Sequence, residues 1–215
     1  HPNDYSRAAG LDFNLASKDN RWTGKAFYHH SFDEEKKDSA FAFGGFINYS
    51  TLKWNVSILT RNVGANYSPE VGFVRRTDIK QLASTTYYNF YPSRGLIQSH
   101  GPGFDFDMVG NETYGFLDWD YNILYRMRFK STALFTMRLR KEYTYLFDPF
   151  DPSGSGGLEL ASNTSYENYL LIANFTSNAR NRFFFDLSTR SGGYYNGSRI
   201  NFVGILTYRY QPWGF

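Results

Sequence analysis

Apolar and polar residues alternate with a period of two along almost the whole chain. Tyr121, Ile123, Tyr125, Met127 and Phe129 fall on one phase, with Asn122, Arg126, Arg128 and Lys130 on the other. The next segment repeats the arrangement, Phe135, Met137, Leu139, Tyr143 and Tyr145 against Thr136, Arg138, Arg140, Glu142 and Thr144. Successive strand side chains point to opposite faces, so each segment would carry one aromatic-rich apolar face and one charged face. Trp54, Val56, Ile58 and Phe202, Leu206, Tyr208, Tyr210 follow the same rule, and no sustained helical stripe appears. The pattern predicts eleven strands near residues 9–17, 21–32, 38–49, 52–62, 76–91, 96–108, 113–128, 132–146, 163–176, 182–190 and 198–210.

Many of these segments are about twice the usual globular strand length of roughly five to six residues. A strand that crosses a bilayer at a tilt needs about nine to eleven. The links sort as well. Those after odd-numbered strands are tight: 17–20, 49–51, 92–94, 129–132 and 177–180. Those after even-numbered strands are mostly longer: 33–38, 61–76, 147–157 and 191–197, with "VGNE" at 109–112 the one short exception. Transmembrane barrels place short turns on one side and longer loops on the other. The expected fold is therefore all-β, an antiparallel transmembrane β-barrel in the bacterial outer membrane.

The final stretch "YRYQPWGF" bears on how much of a barrel is present. A tight turn is due after an eleventh strand, "QPWG" supplies one, and Phe215 is out of phase with Phe202, Leu206, Tyr208 and Tyr210. Bacterial barrels close with an even strand count. Residues 1–215 are thus expected to be an internal part of one larger barrel domain.

Composition narrows the function. Apolar residues make up 41% of the chain and aromatics 20%, with 18 Tyr and 21 Phe, yet mean hydropathy is −0.51. No apolar run of about eighteen residues exists, which excludes a transmembrane helix. A net charge of +3 without clustering gives nucleic-acid binding little support. Without cysteine, disulfides and thiolate metal sites are excluded.

The charged phase supplies the first candidate site. Arg126, Arg128, Arg138, Arg140 and Glu142 would line the lumen on adjacent strands. They would form either a charged wall selecting anionic or sugar-like solutes, or, the preferred reading, an ion-pair network that solvates or plugs the lumen. The apolar phase would face lipid, with Tyr and Phe near strand ends as interfacial girdles. Asp148 and Asp151 sit in a Gly-rich stretch but lack the spacing of a Ca²⁺ loop, so a solvated surface loop is expected. Asp105 and Asp107 share a phase and read as lumen lining ahead of acid–base chemistry. His29 and His30 are adjacent, so a strand would point them apart and prevent joint metal binding. No metalloprotease, nucleophile-elbow or phosphate-loop motif occurs. Sequons at Asn66 and Asn163 carry no meaning in such a setting. No cofactor is called for, and no enzyme is expected.

Six stretches, "NRWTGKAFYHHSF", "VGANYSPEVGFVRR", "SHGPGFDFD", "LFDPFDPSGSGG", "SGGYYNGSRINFVG" and "LTYRYQPWGF", together span nearly the whole chain. They resemble successive blocks of an uncharacterised outer-membrane β-barrel family of Bacteroidota, whose members are usually described as carbohydrate-binding family 9-like domain-containing proteins. The block from Asn62 to Arg76 is the most specific. The resemblance falls within the barrel alone and implies a sugar-binding-like sandwich before it and several strands after it. Within this block Asn66, Glu70, Gly72, Phe73 and Arg76 form a signature loop, read equally as a functional loop or a rim staple. The implied role is a conduit or membrane anchor, linked to glycan binding or uptake. A structural subunit of a multi-protein outer-membrane complex is the alternative, and a lumen-sited hydrolase or a soluble lectin-like sandwich stand further off. Expected partners are outer-membrane lipid and lipopolysaccharide, with outer-membrane proteins or lipoproteins beside them and no nucleic acid.

Overall fold

The computed structural model describes residues 6–33, 38–69, 74 and 76–210. It contains eleven strands: β1 Ser6–Ala16, β2 Trp22–Asp33, β3 Phe41–Ser50, β4 Trp54–Val63, β5 Ile79–Tyr88, β6 Ile97–Asn111, β7 Gly115–Phe129, β8 Leu134–Leu146, β9 Thr164–Thr176, β10 Phe183–Tyr194 and β11 Gly197–Tyr208. All lie in one antiparallel sheet in chain order. β1 and β11 are its two edges and do not pair with each other, so the sheet is open. No described helix is long and apolar enough to cross a membrane.

Each segment expected from the alternation becomes a strand, and the largest departure is β10. The stretch "SGGYYNG" reads as a loop, yet β10 continues through Ser191, Gly192 and Gly193 to Tyr194. The glycines are there for close approach rather than for a turn. A Cβ on Gly192, at φ +150°, would lie 2.1 Å from the Tyr169 carbonyl oxygen, and one on Gly193 would meet the Asn168 side chain. The turn itself is residues 195–196, with Tyr195 at φ +53°. Two links after even-numbered strands are therefore tight, 112–114 and 195–196, while 34–40, 64–78 and 147–163 are longer. The sorting of loops is weaker than the sequence pattern implies, since the link after β5, expected to be tight at 92–94, also runs longer, from 89 to 96.

The chain divides into two compact units, 1–86 with 106–119 and 87–105 with 120–215. In the first, a small core gathers Ala42, Val63, Tyr67 and Ile79, with Phe27, Val74 and Val109 packed against it. Leu11, Phe13, Tyr28, Phe43, Trp54 and Ile58 are exposed there. In the second, the period of two separates the faces by burial, in the inverse of the soluble order. Asn122 is completely buried while its neighbour Ile123 is 66% exposed. Along β8, Met137 and Leu139 are exposed whereas Arg138 and Arg140 are largely covered. Along β9, Asn168 is buried and Tyr169 is 68% exposed. On β7 to β9 the aromatic-rich phase is outward, and the other phase, which holds Leu124 and Leu170 as well as the charged residues, is sheltered except at Arg128 near the end of β7.

Candidate functional site

The sheltered polar face of the second unit is built by one register. Arg138 pairs with Ile172 across β8 and β9, and Ile172 with Arg190 across β9 and β10. Directly opposite residues share a face, so Arg138, Arg140, Glu142, Asn168 and Arg190 stand on the same side. β6 and β7 add Asp105, Asp120 and Asn122.

Asn122 is the hub. Its Nδ2 donates to Asp105 Oδ1 at 2.7 Å and to Asp120 Oδ1, and its Oδ1 accepts from Arg140 Nε at 2.9 Å. Arg140 also lies 4.0 Å from Asp120 and 3.7 Å from Glu142. Glu142 accepts from Arg190 through both oxygens at 3.0 Å, and Arg138 stands 3.7 Å from Asp105. The Arg138 Nε is buried with no hydrogen-bond partner among the described residues. Three carboxylates, Asp105, Asp120 and Glu142, thus face three guanidiniums, Arg138, Arg140 and Arg190. The charges balance within the network, while Arg190 at its edge still reaches solvent.

The five residues singled out from the charged phase separate into two groups. Arg138, Arg140 and Glu142 are brought together in this network. Arg126 stands apart, its guanidinium 4.4 Å from the Tyr87 ring centroid and 3.4 Å from Asn89 Oδ1. Arg128 is exposed near the end of β7, with no carboxylate partner among the described residues. Sequence reasoning missed Arg190 and Asp120 as partners, although both share the phase of the charged positions on their own strands. It also passed over Lys141, which lies on the apolar phase between Leu139 and Tyr143. There Lys141 pairs with Glu167 at 2.8 Å and approaches the Tyr169 ring at 5.5 Å.

In the first unit, the signature loop is described only in part, since Glu70, Gly72 and Phe73 lie outside the described residues. Asn66 donates from Nδ2 to the Asp38 carbonyl at 2.9 Å, and its backbone N–H donates to the Ser39 carbonyl. Ser68 N–H donates to the buried Ser31 hydroxyl. Tyr67 joins the core, and burial raises its pKa above the ordinary tyrosine value. Arg76 pairs with Asp118 at 2.9 Å. The described part of the loop is stapled to the sheet.

Asp105 and Asp107 are engaged separately, Asp107 accepting from Gln81 at 2.8 and 2.9 Å. His29 and His30 oppose Gly10 and Ala9 and point to opposite faces, with His29 Nε2 3.5 Å from Asp12. In the loop 147–163, Asp151 accepts from the Ser153 hydroxyl and from the N–H groups of Ser153, Gly156 and Gly157. These donors, the Ser153 hydroxyl first, lower its pKa to about 2. Asp148 is exposed in the same loop. No group of three or more metal-ligating side chains occurs among the described residues. No family model, curated protein or solved structure matches the chain.

Proposed function

We propose that the chain forms part of the wall of an outer-membrane β-barrel, acting as a conduit or membrane anchor without catalysis of its own. One observation carries this reading: on β7 to β9 the aromatic phase is outward and the phase that bears the Asn122 network is sheltered, as at Ile123 beside Asn122. Water rewards the opposite order, because exposed apolar area costs about 25 cal/mol per Å². Lipid rewards this one. Aromatic rows near strand ends, such as Phe135 opposite Phe175 and Phe183 opposite Tyr208, suit an interfacial girdle.

The sheet is open, so the barrel would be completed by strands beyond the eleven described. The balanced charges of the Asn122 network support a structural wall in preference to an anion-selective one. The outer-membrane location, the Bacteroidota family, the preceding glycan-binding domain and the lipid and lipoprotein partners rest on the resemblance and on this reading. The Lys141–Glu167 pair on the apolar phase favours the second reading, a subunit packed against another outer-membrane protein, because a partner would shield the pair from lipid.

Extraction tests the proposal. The chain should stay with membranes through an alkaline carbonate wash and require detergent for release. Release without detergent, as a folded β-rich protein, would sink the membrane reading.

A further inference from the structure

The short-turn end of the second unit carries a charge that its own residues do not neutralise. The turns 89–96, 130–133 and 177–182 contain Arg94, Lys130, Arg180 and Arg182, and no Asp or Glu. Arg128 and Arg209 lie at adjoining strand ends, and all six cations are exposed. Among the described residues none of the six has a carboxylate partner. This contrasts with the neighbouring polar face, where arginines are paired at 3.0 to 4.0 Å.

The turns are knitted into one surface. Lys130 N–H donates to the Leu96 carbonyl at 2.9 Å, and Arg209 N–H to the Arg182 carbonyl at 2.7 Å. The Thr132 hydroxyl donates to Asn178 Oδ1 at 3.0 Å. Between the 177–182 turn and the end of β11 lies a cleft of about 290 Å³ lined by Arg180, Asn181, Arg182, Tyr208, Arg209 and Tyr210. Arg209 packs its guanidinium 5.6 Å from the Phe184 ring centroid, which restrains it. Phe183 and Tyr208 lie with ring centroids 4.6 Å apart on the apolar phase beside the cleft.

Guanidiniums match phosphate oxygens in geometry and charge. Aromatic rings next to cations at a strand end are the chemistry of the headgroup level of a bilayer. Short barrel turns face the periplasm, where the adjoining leaflet offers phospholipid. We propose that this cleft seats the phosphate headgroup of an anionic phospholipid. Arg180, Arg182 and Arg209 supply the countercharge, and Tyr208 and Tyr210 border the junction of glycerol and acyl chain. The inference rests on the membrane reading above.

The test uses the protein extracted in a zwitterionic detergent and offered phosphatidylglycerol and phosphatidylcholine together. Retained lipid is counted by native mass spectrometry. The wild type should retain phosphatidylglycerol about tenfold or more over phosphatidylcholine, a preference that added salt erodes. The triple variant Arg180→Gln, Arg182→Gln, Arg209→Gln should retain the two lipids alike, and the corresponding triple Lys variant should keep the preference. Should the Gln variant fail to fold, the Lys variant and the salt titration of the wild type decide the matter. Equal retention by the wild type, or an undiminished preference in a folded Gln variant, overturns the proposal. Loss of the preference on adding inorganic phosphate, beyond the effect of equal ionic strength, overturns the lipid assignment in favour of a free anion. A chain that needs no detergent fails the membrane reading itself, whereas one that needs detergent but shows no preference fails only this inference.

Discussion

Replacing Asn122 with Leu keeps the branched arrangement of side-chain heavy atoms but removes three hydrogen bonds from the buried hub. The partners left behind are all charged groups: Asp105, which loses a 2.7 Å bond, Arg140, which loses one of 2.9 Å, and Asp120. A hydrogen bond to a charged group is worth about 1.5–3 kcal/mol, so three bonds set a ceiling of roughly 4.5–9 kcal/mol. Relaxation lowers this. Asp105 can close on Arg138 from 3.7 Å, and Arg140 on Asp120 from 4.0 Å. Breaking one member of a buried charged group typically costs about 3–5 kcal/mol, and that is the expected loss. Equilibrium urea unfolding of the protein in one fixed detergent, followed by tryptophan fluorescence, measures it. Arg128→Gln is the control, since Arg128 is exposed and lacks a carboxylate partner among the described residues; it should shift stability by less than about 0.5 kcal/mol. A loss below about 1 kcal/mol for Asn122→Leu would refute the view that this network holds the wall together.

Three further outcomes follow from local geometry. Gly192→Ala should cost about 1–3 kcal/mol, because the new Cβ collides with the Tyr169 carbonyl oxygen, and amide exchange should speed up first along β10 and β11. Asp151, held near a pKa of about 2 by its loop donors, stabilises the loop above its unfolded value near 3.8. That contribution falls away as pH drops from about 4 towards 2; protection of the Gly156 and Gly157 amides should disappear over this window, and Asp151→Asn should abolish the pH dependence. On the apolar phase, Glu167→Gln should destabilise the protein in lipid by removing the charge that faces Lys141, while Lys141→Met with Glu167→Leu should be neutral or stabilising. A double-mutant cycle in vesicles separates the two results.

The alternation made the strands and their two faces legible, since Tyr121, Ile123 and Tyr125 can share a side only in an extended chain. Which side is sheltered does not follow from alternation alone. The length of the segments and the aromatic content of the apolar phase pointed to it. Pairing across strands was beyond reach because it depends on register: Arg190 meets Glu142 with β9 between them, and nothing local in either segment specifies that offset. Gly192 and Gly193 misled because a glycine pair signals a turn and a close backbone approach equally well. Tyr67 was hidden for a similar reason, as a core residue contributed by a loop.

The chain has no cysteine, so single cysteines introduced along β7 at positions 121, 123, 125, 126 and 128, none of them buried, can each carry an environment-sensitive fluorophore. With the protein in vesicles, lipids bearing a nitroxide quencher on the acyl chain report which positions face lipid. Labels at 121, 123 and 125 should be quenched strongly and those at 126 and 128 weakly. Quenching that is equal at odd and even positions, or strongest at 126 and 128, would contradict an outward apolar face set against lipid.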